Sequence, residues 1–174
     1  MAGRFGRQAY VVVEVLLVVI TLGILALIVW PRPAATDDQK ESALVQSVQT
    51  LRGQLELYKL QHEGVYPGAT SRTAQELKDQ MTEATSRSGA VGEIGDRNYP
   101  LGPYFLKDLP ANPYNGGRAV KIVSGVEGQA VDESQSETVD GRAVKVGWYF
   151  DPETGRLKAN AAGEASDGRP LDQL

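Results

Sequence analysis

The sequence predicts an α+β protein. A long N-terminal helix, membrane-spanning in its first half and amphipathic in its second, packs on a small antiparallel sheet of about three strands. Three observations predict it. Tyr10 to Trp30 is apolar apart from Glu14 and Thr21. Leu44, Val48, Leu51, Leu55 and Tyr58 recur at steps of four, three, four and three, the period of one helical face. Val144, Val146, Trp148 and Phe150 occupy every second position, as one face of a strand requires.

The apolar run is 21 residues long, and as a helix it would span roughly 31 Å, close to the hydrocarbon thickness of a bilayer. What remains of the 174 residues suffices for one modest head domain. The formal charge is −4, with Arg4 and Arg7 ahead of the apolar run and no acid beside them. No basic stripe interleaved with aromatics is present, so nucleic acid is not an expected partner. The chain has no cysteine, which excludes disulfides, thiol nucleophiles and cysteine-based zinc sites. No nucleophile elbow, phosphate-cradling glycine loop or metal-binding cluster is found, so no catalytic or cofactor-binding residue is assigned and the chain is not read as an enzyme.

Residues 1–31 admit three readings: a secretory signal peptide, a passive single-pass anchor, or a short leader preceding a segment that does something more. Small residues at Ala34 and Ala35 suit signal cleavage, but the apolar run exceeds the usual 7–15 residues of a signal peptide. Glu14 discriminates further. A carboxylate in an apolar helix costs a few kcal/mol on insertion scales, which neither a signal peptide nor a passive anchor has reason to bear. Cleavage between Ala9 and Tyr10 would create an ammonium four residues before it. In an array of subunits, Glu14 of one could pair with the Tyr10 amine of the next, and an apolar setting favours the pair over the lone charge. The excess of positive charge before the run places the N-terminus in the cytoplasm and the residues after it outside.

Arg4, Arg7, Ala9, Tyr10, Glu14, Gly23 and Pro31 together resemble the prepilin-type signal of type IV pilins and type II secretion pseudopilins. In that family a basic leader ends in a small residue. An aromatic residue follows, then a glutamate four positions on, a glycine in mid-span and a proline where the span ends. Two departures stand out: Ala9 replaces the usual glycine before the cut, and Tyr10 the usual phenylalanine. The resemblance implies a leader of residues 1–9, a transmembrane and polymerisation helix over 10–31, and an extracytoplasmic head over 32–174 in a pilin-like fold. It implies cleavage by a prepilin peptidase, N-methylation of Tyr10, and assembly into a helical homopolymer through Glu14, Gly23 and Pro31. The implied partners are membrane lipid before assembly, an inner-membrane platform and an assembly ATPase. The implied location is the cytoplasmic membrane, then the filament. The alternative is a membrane-anchored binding module that never polymerises.

In the head, Thr36 to Gln39 reads as a capping box opening an amphipathic helix over 37–62, with Gly53 a weak point inside it. Leu57-Tyr58 followed by Gly64 and Tyr66-Pro67 resembles the segment that closes this helix in major pseudopilins. His62, the lone histidine, is expected to be solvated there. Thr73 to Glu76 predicts a second helix, to about Ser86. The segment from Gly102-Pro103-Tyr104 to Asn112-Pro113-Tyr114-Asn115-Gly116-Gly117 also resembles the family, and its Asn-Pro and Asn-Gly steps are turn formers. Strands are expected within 118–160: Ala119 to Val123, Ala143 to Phe150, and Arg156 to Ala159 after a turn at Asp151 to Gly155. Between the first two, residues 124–141 carry Glu127, Asp132, Glu133, Glu137 and Asp140 with no basic residue. A solvated loop is expected, with calcium the one cofactor its acids could take, although no EF-hand spacing is present. The tail, 163–174, is expected to be flexible.

Overall fold

The computed structural model describes residues 13–22 and 36–174. They belong to two units, which divide between Ala35 and Thr36. In the first, residues 13–22 form helix α1.

The second unit is the head. Helix α2 runs Asp37–Gln61 and starts on its own cap. Thr36 is extended (φ −67°, ψ 160°), its hydroxyl accepts from the Gln39 N–H, and the Gln39 side chain accepts from the Thr36 N–H. Asp37 and Asp38 lie in the first turn, at the positive end of the helix dipole. Leu44, Val48, Leu51, Leu55 and Tyr58 are the buried stripe. Helix α3, Ala74–Thr82, is capped by Thr73 and contributes Leu77 and Met81 to the same core.

Strand β1 is Ala84–Thr85 and pairs antiparallel with β2, Val91–Gly92. The main sheet has four strands: β3 (Ala119–Ile122), β4 (Ser136–Val139), β5 (Arg142–Asp151) and β6 (Arg156–Ala159). Strand β5 is central. Its first half pairs with β4 (Ser136 opposite Lys145) and its second half with β6 (Trp148 opposite Ala159), both antiparallel. Strand β3 pairs with it in parallel, with Val120 opposite Trp148. Trp148 and Phe150 point into the core formed with α2, while Tyr149 is fully buried from the other face. The Trp148 indole N–H donates to the Pro110 carbonyl at 3.0 Å, so a ring that buries a large apolar area leaves no orphaned donor.

Four expectations are corrected. Among the described residues no long N-terminal helix is formed: α1 covers ten residues, 13–22. Helix α2 begins on its own cap at the extended Thr36. No helix among the described residues is long and apolar enough to cross a membrane. The sheet is not a three-stranded antiparallel one. The stretch after β3 crosses over through a 3₁₀ turn at Val126–Gly128 and adds β4, which takes the hairpin position beside β5 and leaves β3 parallel. Helix α3 stops at Thr82 because Glu83 is extended and Ala84 enters β1. The last segment is packed rather than loose. Leu171 is 2% exposed in the core, Ser166 N–H donates to Glu41, and the Arg52 guanidinium donates to the Leu174 carbonyl at 3.2 Å.

Candidate assembly segment and the polar clusters of the head

Of the residues assigned to leader cleavage and assembly, Ala9, Tyr10, Gly23 and Pro31 lie outside the described residues. Glu14 lies on α1 and is exposed. Around it Val13, Val15, Leu16, Leu17, Val18, Val19, Ile20 and Leu22 are each half-exposed or more, so the apolar surface goes all round the helix rather than along one stripe. A helix of that kind belongs in surroundings that are apolar on every side, a bilayer or other helices. Covering these eight side chains is worth on the order of 10 kcal/mol. Thr21 does not disturb the pattern, since its hydroxyl donates back to the carbonyls of Leu17 and Val18 (3.0 and 2.9 Å). The carboxylate of Glu14 is the one ionisable group on α1.

In the head, His62 is not solvated. It caps α2 at 2% exposure, and its ring lies flat on Tyr58 with centroids 3.6 Å apart. Its Nδ1 is 2.7 Å from the Tyr58 carbonyl, which can only accept, so Nδ1 carries the proton. Nε2 then accepts from the Thr85 hydroxyl at 2.9 Å. Thr85 is fully buried, and its backbone pairs with Leu101. The imidazole therefore ties the end of α2 to β1 and leaves neither nitrogen free for catalysis. Sequence reasoning missed it because stacking and a partner 23 residues away have no local signature.

Burial holds the His62 pKa below the ordinary imidazole value, against the opposing pull of the Tyr58 and Ser86 carbonyls. The unfolded chain, with its imidazole near pH 6.5, then takes up a proton before the folded chain does. The stabilisation from this site is whole above that pH and is lost as pH falls toward the folded-state value. The thermal midpoint of the wild type is expected to fall more between neutral and mildly acidic pH than that of His62→Gln. Parallel curves for the two proteins would rule the linkage out.

The acids of 124–141 are engaged one by one. Glu127 pairs with Arg156, Asp140 with Lys78, and Glu137 approaches Lys121 at 3.9 Å. Asp132 accepts from Ser134, and Glu133 from the Ala162 N–H. Among the described residues no cluster of three or more potential metal ligands forms. Hydrogen bonds from Ser134 and Gln135 hold Asp132 below the usual carboxylate range. Contacts with Lys78 and Gln75 do the same for Asp140. A depression of about 570 Å³ opens between α2, β6 and the C-terminal turn. Its charges are also spent. Lys158 meets Asp172 at 2.7 Å, and Arg52 donates to the Leu157 and Leu174 carbonyls. Such an arrangement holds chain segments together and offers no nucleophile with a base.

The Asn112 to Gly117 turn does more than reverse the chain. Asn112 and Asn160 are fully buried, and with Asn115 they send amide donors to backbone carbonyls of β5 and its neighbour. Asn112 reaches Gly147 (2.9 Å), Asn115 reaches Val146 and Asn160 (3.0 and 2.7 Å), and Asn160 reaches Val146 (2.9 Å). Every buried side-chain nitrogen and oxygen among the described residues has a partner, so this polar core is satisfied rather than reactive.

No protein-family model, curated protein or solved structure matches the chain.

Proposed function

We propose that this chain is a structural subunit of a type II secretion pseudopilus or a type IV pilus-like filament. Its leader is removed between Ala9 and Tyr10, Tyr10 is N-methylated, and the apolar N-terminal segment then carries assembly. One observation carries the reading. Glu14 sits four residues past the first residue after that bond, on a helical segment whose exposed side chains are apolar all round. A carboxylate there is costly unless a cation meets it, and the amine freed at Tyr10 of a neighbouring copy would supply that cation. The family-like spacing of Arg4, Arg7, Ala9, Gly23 and Pro31 supports the same reading.

On this proposal the unassembled subunit is held in the cytoplasmic membrane with its head outside. It is processed by a prepilin peptidase and fed into the filament by a membrane platform and an assembly ATPase. The head offers outer contacts and performs no chemistry.

The intact mass of protein purified from its native membrane tests the proposal. The expected species lacks residues 1–9 and carries one added methyl group. A mature start near Ala35, or full retention of the first nine residues, would overturn it.

A further inference from the structure

Asn115-Gly116 is the one Asn-Gly step in the chain, and such steps carry a reaction of their own. The glycine's backbone nitrogen, on losing its proton, attacks the side-chain carbonyl carbon of the asparagine. A bond from that nitrogen to Cγ forms and the Cγ–Nδ2 bond breaks. The amide leaves as ammonia, taking up the proton, and water opens the cyclic imide to aspartate or isoaspartate.

In the folded head each participant is restrained. The Gly116 N–H, whose nitrogen must attack, donates to the Asn112 carbonyl at 2.7 Å. The Asn115 side-chain oxygen accepts from the Gly117 N–H at 2.7 Å. Its Nδ2, the leaving group, donates to the Val146 and Asn160 carbonyls at 3.0 and 2.7 Å. The acceptors belong to elements that do not move independently: Val146 lies in the central strand, and Asn160 is itself fully buried and bonded back to Val146.

We propose that Asn115-Gly116 is a deamidation site closed by the native fold and opened by unfolding, and that the modified chain cannot regain the fold. The second half follows from the same contacts. Deamidation replaces a donor that faces two carbonyl oxygens by a carboxylate oxygen. Where two hydrogen bonds stood, an anion then faces two acceptors in a half-buried site, at the cost of the bonds and of an uncompensated charge. Isoaspartate also lengthens the backbone of a turn whose ends are fixed by the Asn112–Gly117 hydrogen bond. An episode of unfolding is thereby recorded in the covalent structure.

The full chain in detergent micelles is incubated in mildly alkaline buffer, either folded or in urea, and residue 115 is followed by peptide mass mapping. Conversion is expected to be at least about tenfold faster in urea, because the reaction in the folded sample must wait for local opening. Equal rates would overturn the closure. The urea sample is then diluted and separated into refolded and unrefolded chains. The modified peptide is expected to be depleted from the refolded fraction, and equal representation in both fractions would overturn the block to refolding.

Discussion

Gly147→Ala is expected to unfold the head. A Cβ at this position would meet the carbonyl oxygen of Gly117, and would lie 2.7 Å from its carbonyl carbon and 3.2 Å from the Asn112 Cβ. The obstacle is mutual, since a Cβ on Gly117 would lie 2.6 Å from the Gly147 nitrogen. Two backbones pass at a separation that only paired glycines permit, and neither can yield by turning a side chain. One of them is the central strand, which pairs with β3, β4 and β6. The other is held to it by Asn112 and Asn115. Separating them stretches the Asn112 and Asn160 bonds to the Gly147 carbonyl and lifts Trp148 from its seat. Overpacking alone costs about 1–3 kcal/mol. With loss of the buried amide bonds the total is expected to exceed about 4 kcal/mol, a large part of what a domain of this size has. Gly53→Ala is the matched control. It lies in mid-helix with open space around it, and is expected to raise stability by about 0.5–1 kcal/mol. Urea unfolding followed by near-ultraviolet circular dichroism decides both. A Gly147→Ala protein with a wild-type midpoint would mean that the two backbones are not in contact.

What was legible in the sequence was what depends on near neighbours. The stripe from Leu44 to Tyr58 is visible because burial on one helical face repeats at the helical period, and the Thr36 cap because it is a bond to a residue three positions on. The turn after β5 is legible in Asp151 to Gly155. Burial pushes the Asp151 carboxylate up, but hydrogen bonds from the Gly125 and Glu153 N–H groups together with those from Thr154 hold its pKa below the usual range. Strand β4 was hidden because its residues, Ser136 to Val139, are mostly polar and lie at a sheet edge. The signal that could have found it is Asp140-Gly141. Both residues have positive φ (51° and 69°), the geometry a two-residue hairpin turn demands. With β4 as the hairpin partner of β5, β3 comes to β5 through a crossover and pairs in parallel along its opposite edge. The seat of His62 and the asparagine cluster depended on partners tens of residues away, which no local pattern encodes. Of the residues that the sequence assigns to leader cleavage and assembly, only Glu14 lies among the described residues.

On the proposed function, Glu14→Leu is expected to separate two properties, membrane retention and filament assembly. In the membrane the substitution is favourable, since it removes an acidic side chain from an apolar run; that cost reaches about 2.5–3.5 kcal/mol at mid-span and is smaller near the end of the run, where Glu14 lies. The variant should therefore be retained in the membrane at least as well as wild type. In the filament the same change leaves the Tyr10 ammonium of the neighbouring copy in apolar surroundings without its partner, and removing one member of a buried pair costs about 3–5 kcal/mol. That penalty recurs at every subunit contact, so assembled material is expected to fall by roughly 100-fold or more, with the head still folded. Glu14→Gln keeps the shape and a hydrogen-bond acceptor without the charge, and is expected to fall between the two. The measurement is the ratio of sheared filament to membrane-retained subunit in the native host, with intact mass confirming that leader removal is unaffected. A passive anchor would gain in the membrane and lose nothing else. Filaments of Glu14→Leu at wild-type yield would therefore show that the carboxylate has no partner to meet, and the electrostatic account of assembly would fall with it.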